Sequence, residues 1–172
     1  MPKKVPLLFV FAYLFLLKAC GQTSDKAYYM MLDGLYEHSV PLIKPQVLYL
    51  QLSKAKKPAF ILLDARSERE YQVSHLPNAR YVGYEEFSLA QLQSMPKDAR
   101  LVVYCSVGYR SEKIGEKLKA AGFTNVYNLY GGIFEWVNRG YTVQNAKGPT
   151  QKVHVFSKSW GVWLTKGEKV YE

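Results

Sequence analysis

Leu101-Val102-Val103-Tyr104-Cys105-Ser106-Val107-Gly108-Tyr109-Arg110-Ser111 is the stretch whose reading decides the fold. Its first four residues form a continuous apolar run, as a strand buried on both faces requires. A short loop follows, and Gly108 lets it curl with positive φ. From Ser111 to Ala121 the apolar residues Ile114, Leu118 and Ala121 recur at helical spacing, and Gly122 supplies a C-terminal stop. A strand that feeds through a tight loop into a helix is the repeating unit of a parallel α/β sheet.

The neighbouring segments continue the alternation. Phe60-Ile61-Leu62-Leu63 reads as a second buried strand ending at Asp64-Ala65-Arg66. Ser67 and Glu70 have capping-box spacing and start a helix. Pro45 opens an apolar-rich helix that runs to about Lys54, where proline's fixed φ suits the first helical position. Tyr81 to Tyr84 is expected to be extended, Glu85 to Ser94 helical, and Val126 to Leu129 a further strand. Gly131-Gly132 then opens a last helix through Phe134, Trp136 and Val137 to Gly140. The pattern predicts an α/β fold, a single domain over 39–145 whose central, mainly parallel sheet has helices on both faces.

Cys105 sits where such a fold is chemically active. The loop between a strand and the next helix lies over the helix N-terminus, where unpaired N–H groups and the positive end of the dipole favour an anion. For a cysteine that anion is the thiolate, the nucleophilic form. Gly108 permits an inward-facing nest of N–H groups, and Arg110 adds a fixed positive charge. The alternative is a small buried side chain that ends a strand. Asp64 and Arg66 are read either as a local ion pair or as a brace for this loop from the C-terminal edge of the sheet. His75, beside Leu76-Pro77, is read as a hydrogen-bonded structural residue.

Composition narrows the function classes. The 172-residue chain is 48% hydrophobic and 22% charged, the balance of a globular protein. Its net charge of +9 includes Lys3, Lys4 and Lys18 near the N-terminus, and the remaining surplus is interspersed with acids. No basic run or helix face marks a nucleic-acid binder. Two cysteines, Cys20 and Cys105, build neither a disulfide framework nor a zinc site, and no metal centre is expected.

Residues 1–19 read as an export signal, in which basic Lys3 and Lys4 precede the apolar run Val5 to Leu17, too short to span a bilayer. Leu17-Lys18-Ala19-Cys20 is similar to the lipobox of bacterial lipoproteins, with Lys18 a departure from the usual pattern. The resemblance implies lipidation at Cys20 and an anchored protein facing the periplasm or the exterior. Residues 20–38 are expected to be a tether and short helix, with Tyr28, Met31, Leu32, Leu35 and Tyr36 on one face. The basic, aromatic extension 146–172 is expected to place two extended arms, Val153 to Phe156 and Val162 to Leu164, against the domain. Its alternative use is a docking surface for a protein partner.

Four ordered motifs resemble the rhodanese homology domain. Asp64-Ala65-Arg66 with Glu70-Tyr71 matches the family's Asp-x-Arg...Glu-Tyr/Phe signature, and His75-Leu76-Pro77-Asn78-Ala79 is similar to its His-Ile-Pro-Gly-Ala stretch, with Asn78 in place of the usual glycine. Cys105-Ser106-Val107-Gly108-Tyr109-Arg110-Ser111 is similar to the Cys-x-x-Gly-x-Arg-Ser active-site loop, and Gly131-Gly132...Trp136...Gly140 to the closing pattern. The resemblance implies a cofactor-free sulfurtransferase. Cys105 is its catalytic residue, Ser106, Val107, Gly108, Tyr109 and Arg110 bind substrate, and Asp64, Arg66 and Ser111 support them. Its partners would be a small sulfur-donor anion such as thiosulfate and a thiol or cyanide acceptor, with no nucleic acid. Two rivals share the cysteine: a non-turnover persulfide carrier or binding module at the membrane surface, and a phosphatase or arsenate reductase. The second normally has a loop one residue longer, with arginine at the place that Ser111 takes here.

Overall fold

The computed structural model describes residues 25–54 and 60–171. The expected signal, and Cys20 with it, lies outside the described residues. The chain divides into two units, one ending at Leu35 and one starting at Tyr36. In the first, residues 25–35 form helix α1, where the rings of Tyr28 and Tyr29 lie 5.6 Å apart. Tyr36, expected on the same helical face, follows the helix and belongs to the second unit.

The second unit is built on a five-stranded sheet. In chain order its main elements are β1 (Leu42–Ile43), α2 (Pro45–Lys54), β2 (Ile61–Asp64), α3 (Glu68–Val73), β3 (Arg80–Tyr81), β4 (Arg100–Tyr104), α4 (Tyr109–Ala120), β5 (Asn125–Leu129) and α5 (Gly132–Asn138). The strand order is β1-β5-β4-β2-β3 and every pairing is parallel. The strands therefore all end at one edge, and the loops after β2 and β4 emerge side by side, with Asp64 opposite Tyr104. Leu101, Val102 and Val103 are fully buried in the middle strand. At about 1.5–3 kcal/mol for each such side chain, that run is a large part of what holds the sheet in place.

Strand alternation divides the core. Leu63, Leu101 and Val103 pack with Ile114 and Leu118 of α4 and with Val126. Leu62, which points to the opposite face, lines a cleft of about 560 Å³ together with Tyr49 of α2 and Trp136 of α5. Phe60 and Ile61 line the same cleft, which places it toward the strand N-termini, away from Cys105. Helices thus cover both faces of the sheet, as expected for the α/β class.

Three expectations need correction. Glu85 to Ser94 is not a helix: only Leu89–Leu92 form a 3-10 turn, with the Ser88 hydroxyl accepting from Ala90 N–H. Tyr84 and Phe87 pack against the core while Leu89 is 43% exposed, so the apolar residues make no helical stripe. The extended piece predicted at Tyr81 to Tyr84 shortens to Arg80–Tyr81, because Val82 and Gly83 both turn their N–H groups onto Asp64 O. In the tail, the first expected arm shortens to β8 (Lys152–His154) and the second, Val162 to Leu164, is not a strand; β8 pairs in parallel with β9 (Glu168–Val170) instead. The intervening chain holds one helical turn, α6 (Lys158–Gly161), capped by Ser157.

The limit drawn at 145/146 falls inside an antiparallel hairpin of β6 (Val143–Asn145) and β7 (Gly148–Thr150). The extension belongs to the same compact unit as the sheet. Among the described residues no helix is long and apolar enough to cross a membrane.

Candidate active site

Cys105 follows β4 directly, and Gly108 caps α4 with φ +117°. The helix begins at Tyr109, two residues earlier than its apolar pattern indicates, so Arg110 lies in its first turn. The Gly108 N–H donates to Cys105 Sγ at 3.1 Å.

The four carbonyls of residues 105–108 are all held by partners outside the thiol's side of the loop. Cys105 O accepts from Ile133 N–H at 2.9 Å and Ser106 O from Phe134 N–H at 3.1 Å, both at the start of α5. Val107 O accepts from the Tyr36 hydroxyl at 2.5 Å. Gly108 O accepts from Glu112 N–H at 3.1 Å and from the Asn128 side-chain amide at 2.9 Å, while the Ser111 hydroxyl donates to Asn128 Oδ1 at 2.7 Å. With these carbonyls held elsewhere, the Gly108 amide is left to donate to the sulfur. This explains the Gly131-Gly132 motif: Gly132 has φ +55°, and a Cβ there would overlap Cys105 O and lie 2.7 Å from Ser106 O.

Arg110 is not a free charge. Its guanidinium donates to both oxygens of Glu70 at 2.8 Å, and Nη2 also reaches Ser106 Oγ at 3.0 Å. Glu70 accepts from Ser106 Oγ at 3.0 Å and from Ser67 N–H at 3.0 Å. Burial alone would push the Glu70 carboxyl up, but its bonds and proximity to Arg110, together with the Arg66 charge and the Ser67 N–H, hold it at about 2. Burial favours the neutral form of Arg110, but the Glu70 carboxylate outweighs it and raises the guanidinium above its ordinary value.

The open question over Asp64 and Arg66 has a definite answer. They form a fully buried ion pair at 2.7 Å, and Arg66 also donates to Ser74 O at 2.6 Å, tying the end of β2 to the end of α3. The pair therefore supports the helix that carries Glu70. His75 has the structural role expected of it: its ring stacks on Tyr71 at 4.0 Å, and its backbone bridges Gln144. Asn78 adopts φ +61°, the conformation that glycine would supply, which asparagine tolerates better than most residues.

Gly108 is thus the residue whose bond reaches the Cys105 sulfur; Ser106 and Arg110 bond Glu70 and one another, Ser111 bonds Gly108 O and Asn128, and the Val107 carbonyl faces Tyr36. Tyr109 is 43% exposed and shares none of these bonds. Cys105 itself is only 1% exposed, so the thiol is more enclosed than a surface loop would make it.

The sequence reading missed four contributors. Glu70 is visible in the sequence as half of a capping box, which the structure contains, and as part of the Asp-x-Arg...Glu-Tyr/Phe signature, with no role at the Cys105 loop attached. Tyr36 and Asn128 carried no local signal. Phe156, in the extension, holds its ring 5.2 Å from the Arg110 guanidinium with a backbone φ of +62° and is 56% exposed. Its N–H donates to Nδ1 of His154 at 3.1 Å. Burial lowers the His154 pKa, and the Arg69, Arg66 and Arg110 charges act the same way against the opposing pull of Glu70. Among the described residues no group of three or more His, Cys, Asp or Glu side chains is placed to hold a metal ion.

The model of the rhodanese-like domain matches residues 45–139. A tRNA uridine(34) hydroxylase from Hamiltonella defensa is 32% identical over 122 residues, which are 68% of this chain and 33% of that protein. The chain spans about a third of the length of such curated relatives. The solution structure of a rhodanese-like domain from Anabaena is 27% identical, with a TM-score of 0.56 over 61% of this chain and 79% of its own. A thiosulfate sulfurtransferase from Pseudomonas aeruginosa, 24% identical, shares the fold with a TM-score of 0.56 over 71% of this chain and 23% of its own.

Proposed function

Because this chain belongs to the rhodanese-like domain family, we propose that it is a sulfurtransferase that carries sulfur as a persulfide on Cys105. The observation that carries this reading is the Gly108 N–H on Sγ, in a loop whose four carbonyls are tied elsewhere. In the first step the Cys105 thiolate attacks the outer sulfur of thiosulfate. A new S–S bond forms to Cys105, the old S–S bond breaks, and sulfite leaves with its electron pair. In the second step a nucleophile such as cyanide takes the terminal sulfur as thiocyanate and returns the thiolate. An amide donor on Sγ favours the thiolate that attacks and that is returned after the second step.

Enclosure of Cys105 favours a small donor anion, and it equally suits a carrier that holds its persulfide until a partner collects it. Turnover separates the two. The phosphatase or arsenate-reductase reading is disfavoured because Arg110 already commits its Nη1/Nη2 fork to the Glu70 carboxylate, with Nη2 also on Ser106, so a tetrahedral oxyanion would have to displace that pair. The hydroxylase activity named for the curated relatives belongs to proteins of which the matched segment is about a third. We further propose a lipid anchor at Cys20 that holds the domain at the bacterial envelope, facing the periplasm or exterior, a reading that rests on the sequence alone.

Protein lacking residues 1–20 is expected to gain the mass of one sulfur atom from thiosulfate, and Cys105→Ser to gain none. Catalytic thiocyanate release would identify an enzyme, stoichiometric loading alone a carrier, and brisk hydrolysis of aryl phosphates would overturn both.

A further inference from the structure

Tyr36 stands outside the 45–139 segment that defines the family, yet it meets the Cys105 loop at the peptide that matters most to sulfur. Its hydroxyl donates to Val107 O at 2.5 Å and accepts from Gly131 N–H at 2.9 Å. Val107 C=O and Gly108 N–H belong to one planar trans peptide and point in opposite directions. Holding the carbonyl therefore sets the direction of the N–H, and that N–H ends 3.1 Å from Cys105 Sγ.

The tyrosine is itself fixed. Its ring packs edge-on against Tyr130 at 5.8 Å and His38 at 6.1 Å. The chain that follows is fastened along α4: Glu112 accepts from the N–H groups of Glu37 and Ser39, both at 3.0 Å, and Lys119 donates to Ser39 O at 2.7 Å. Gly108 is reserved for this contact, because a Cβ there would overlap the Tyr36 hydroxyl and ring. Burial, reinforced by nearby Cys105, keeps the phenol protonated, and a protonated hydroxyl is what the Val107 carbonyl requires.

We propose that Tyr36 is a positioning residue of the sulfur site, its hydroxyl locking the 107–108 peptide so that the Gly108 amide is aimed at the sulfur anion on Cys105. The role in transfer rests on the sulfurtransferase reading, whereas the aiming of the amide does not.

The test compares Tyr36→Phe, which keeps the ring and removes the hydroxyl, with Ser39→Ala, which loosens the same segment and keeps it. Cys105 alkylation by iodoacetamide is followed against pH without any sulfur donor, then persulfide formation from thiosulfate is timed. For Tyr36→Phe the rise of alkylation moves to higher pH and sulfur loading slows on the order of tenfold, less than the hundredfold or more expected when a donor itself is lost. Ser39→Ala follows the parent protein in both. A Tyr36→Phe curve that superimposes on the parent, or a Ser39→Ala curve displaced as far, overturns the proposal. Amide exchange in the unaltered protein gives a second check if Tyr36→Phe does not fold: Gly108 exchanging as fast as an open loop amide also overturns it. Normal alkylation with no sulfur uptake by the parent protein would instead sink the sulfurtransferase reading, while the alkylation curves would still decide whether Tyr36 aims the amide.

Discussion

Glu70 and Arg110 face one another through two hydrogen bonds of 2.8 Å, so the arginine nearest the thiol is committed to a carboxylate before any substrate arrives. The pair links α3 to the first turn of α4 and encloses Ser106 between its members. Its primary work is to hold the loop in shape.

Glu70→Gln should destabilise the domain by about 3 kcal/mol, because the glutamine leaves a largely buried guanidinium without its counter-charge. Denaturant unfolding at neutral pH measures this. A change below about 1 kcal/mol, the range of an exposed pair, would show that the loop stands without the ion pair.

The same carboxylate predicts the acid response. Its pKa falls from an ordinary 4.5 to about 2 on folding, so its contribution is complete above the unfolded value and disappears as pH drops from about 4.5 to about 2. The parent protein should lose on the order of 3 kcal/mol more across that interval than Glu70→Gln does. Parallel acid-unfolding slopes for the two proteins would contradict the assignment.

Gly132→Ala should be far more damaging than an ordinary surface glycine replacement. The methyl group would enter the space of Cys105 O and Ser106 O at a residue with φ +55°. Strain of about 1–3 kcal/mol is expected from the backbone alone, before the loop shifts. Thermal melting reads the loss, and sulfur loading should fall further than the melting temperature implies. Gly122→Ala, where a Cβ meets nothing within 4 Å, is the control for positive φ without a clash.

Phe156→Ala should quicken modification of Cys105 by bulky thiol reagents more than by small ones, because the ring covers Arg110 at the edge of the loop. The stability cost should be small, about 0.5–1 kcal/mol for an exposed cation–π contact. Equal acceleration for both reagent sizes would mean general loosening and not a wider entrance.

The fold was legible wherever a segment's own pattern decided its conformation. The apolar runs Leu62-Leu63 and Leu101 to Tyr104 became central strands because a strand buried on both faces has no alternation to show. Pro45 and Ser67 marked helix starts by local chemistry that the structure retains. The misreadings occurred where tertiary pairing overruled composition. Glu168-Lys169-Val170 is a polar segment that becomes a strand only because β8 offers an edge, while the more apolar Val162 to Leu164 does not.

Within the site, Cys105, Gly108 and Ser111 were readable because strand, loop and helix fix their places locally. Glu70 reaches Arg110 across 40 positions and Tyr36 reaches Val107 across 71. No spacing rule spans such distances, so neither role could be found along the chain.

A polypeptide cut to the family limits 45–139 would retain Cys105, Gly108 and the Glu70–Arg110 pair. It would shed both flanks, the phenol that holds the Val107 carbonyl and the phenyl ring beside the Arg110 guanidinium. Swapping such terminal flanks between relatives is therefore a route to retuning reactivity and admission separately, with the shared core untouched.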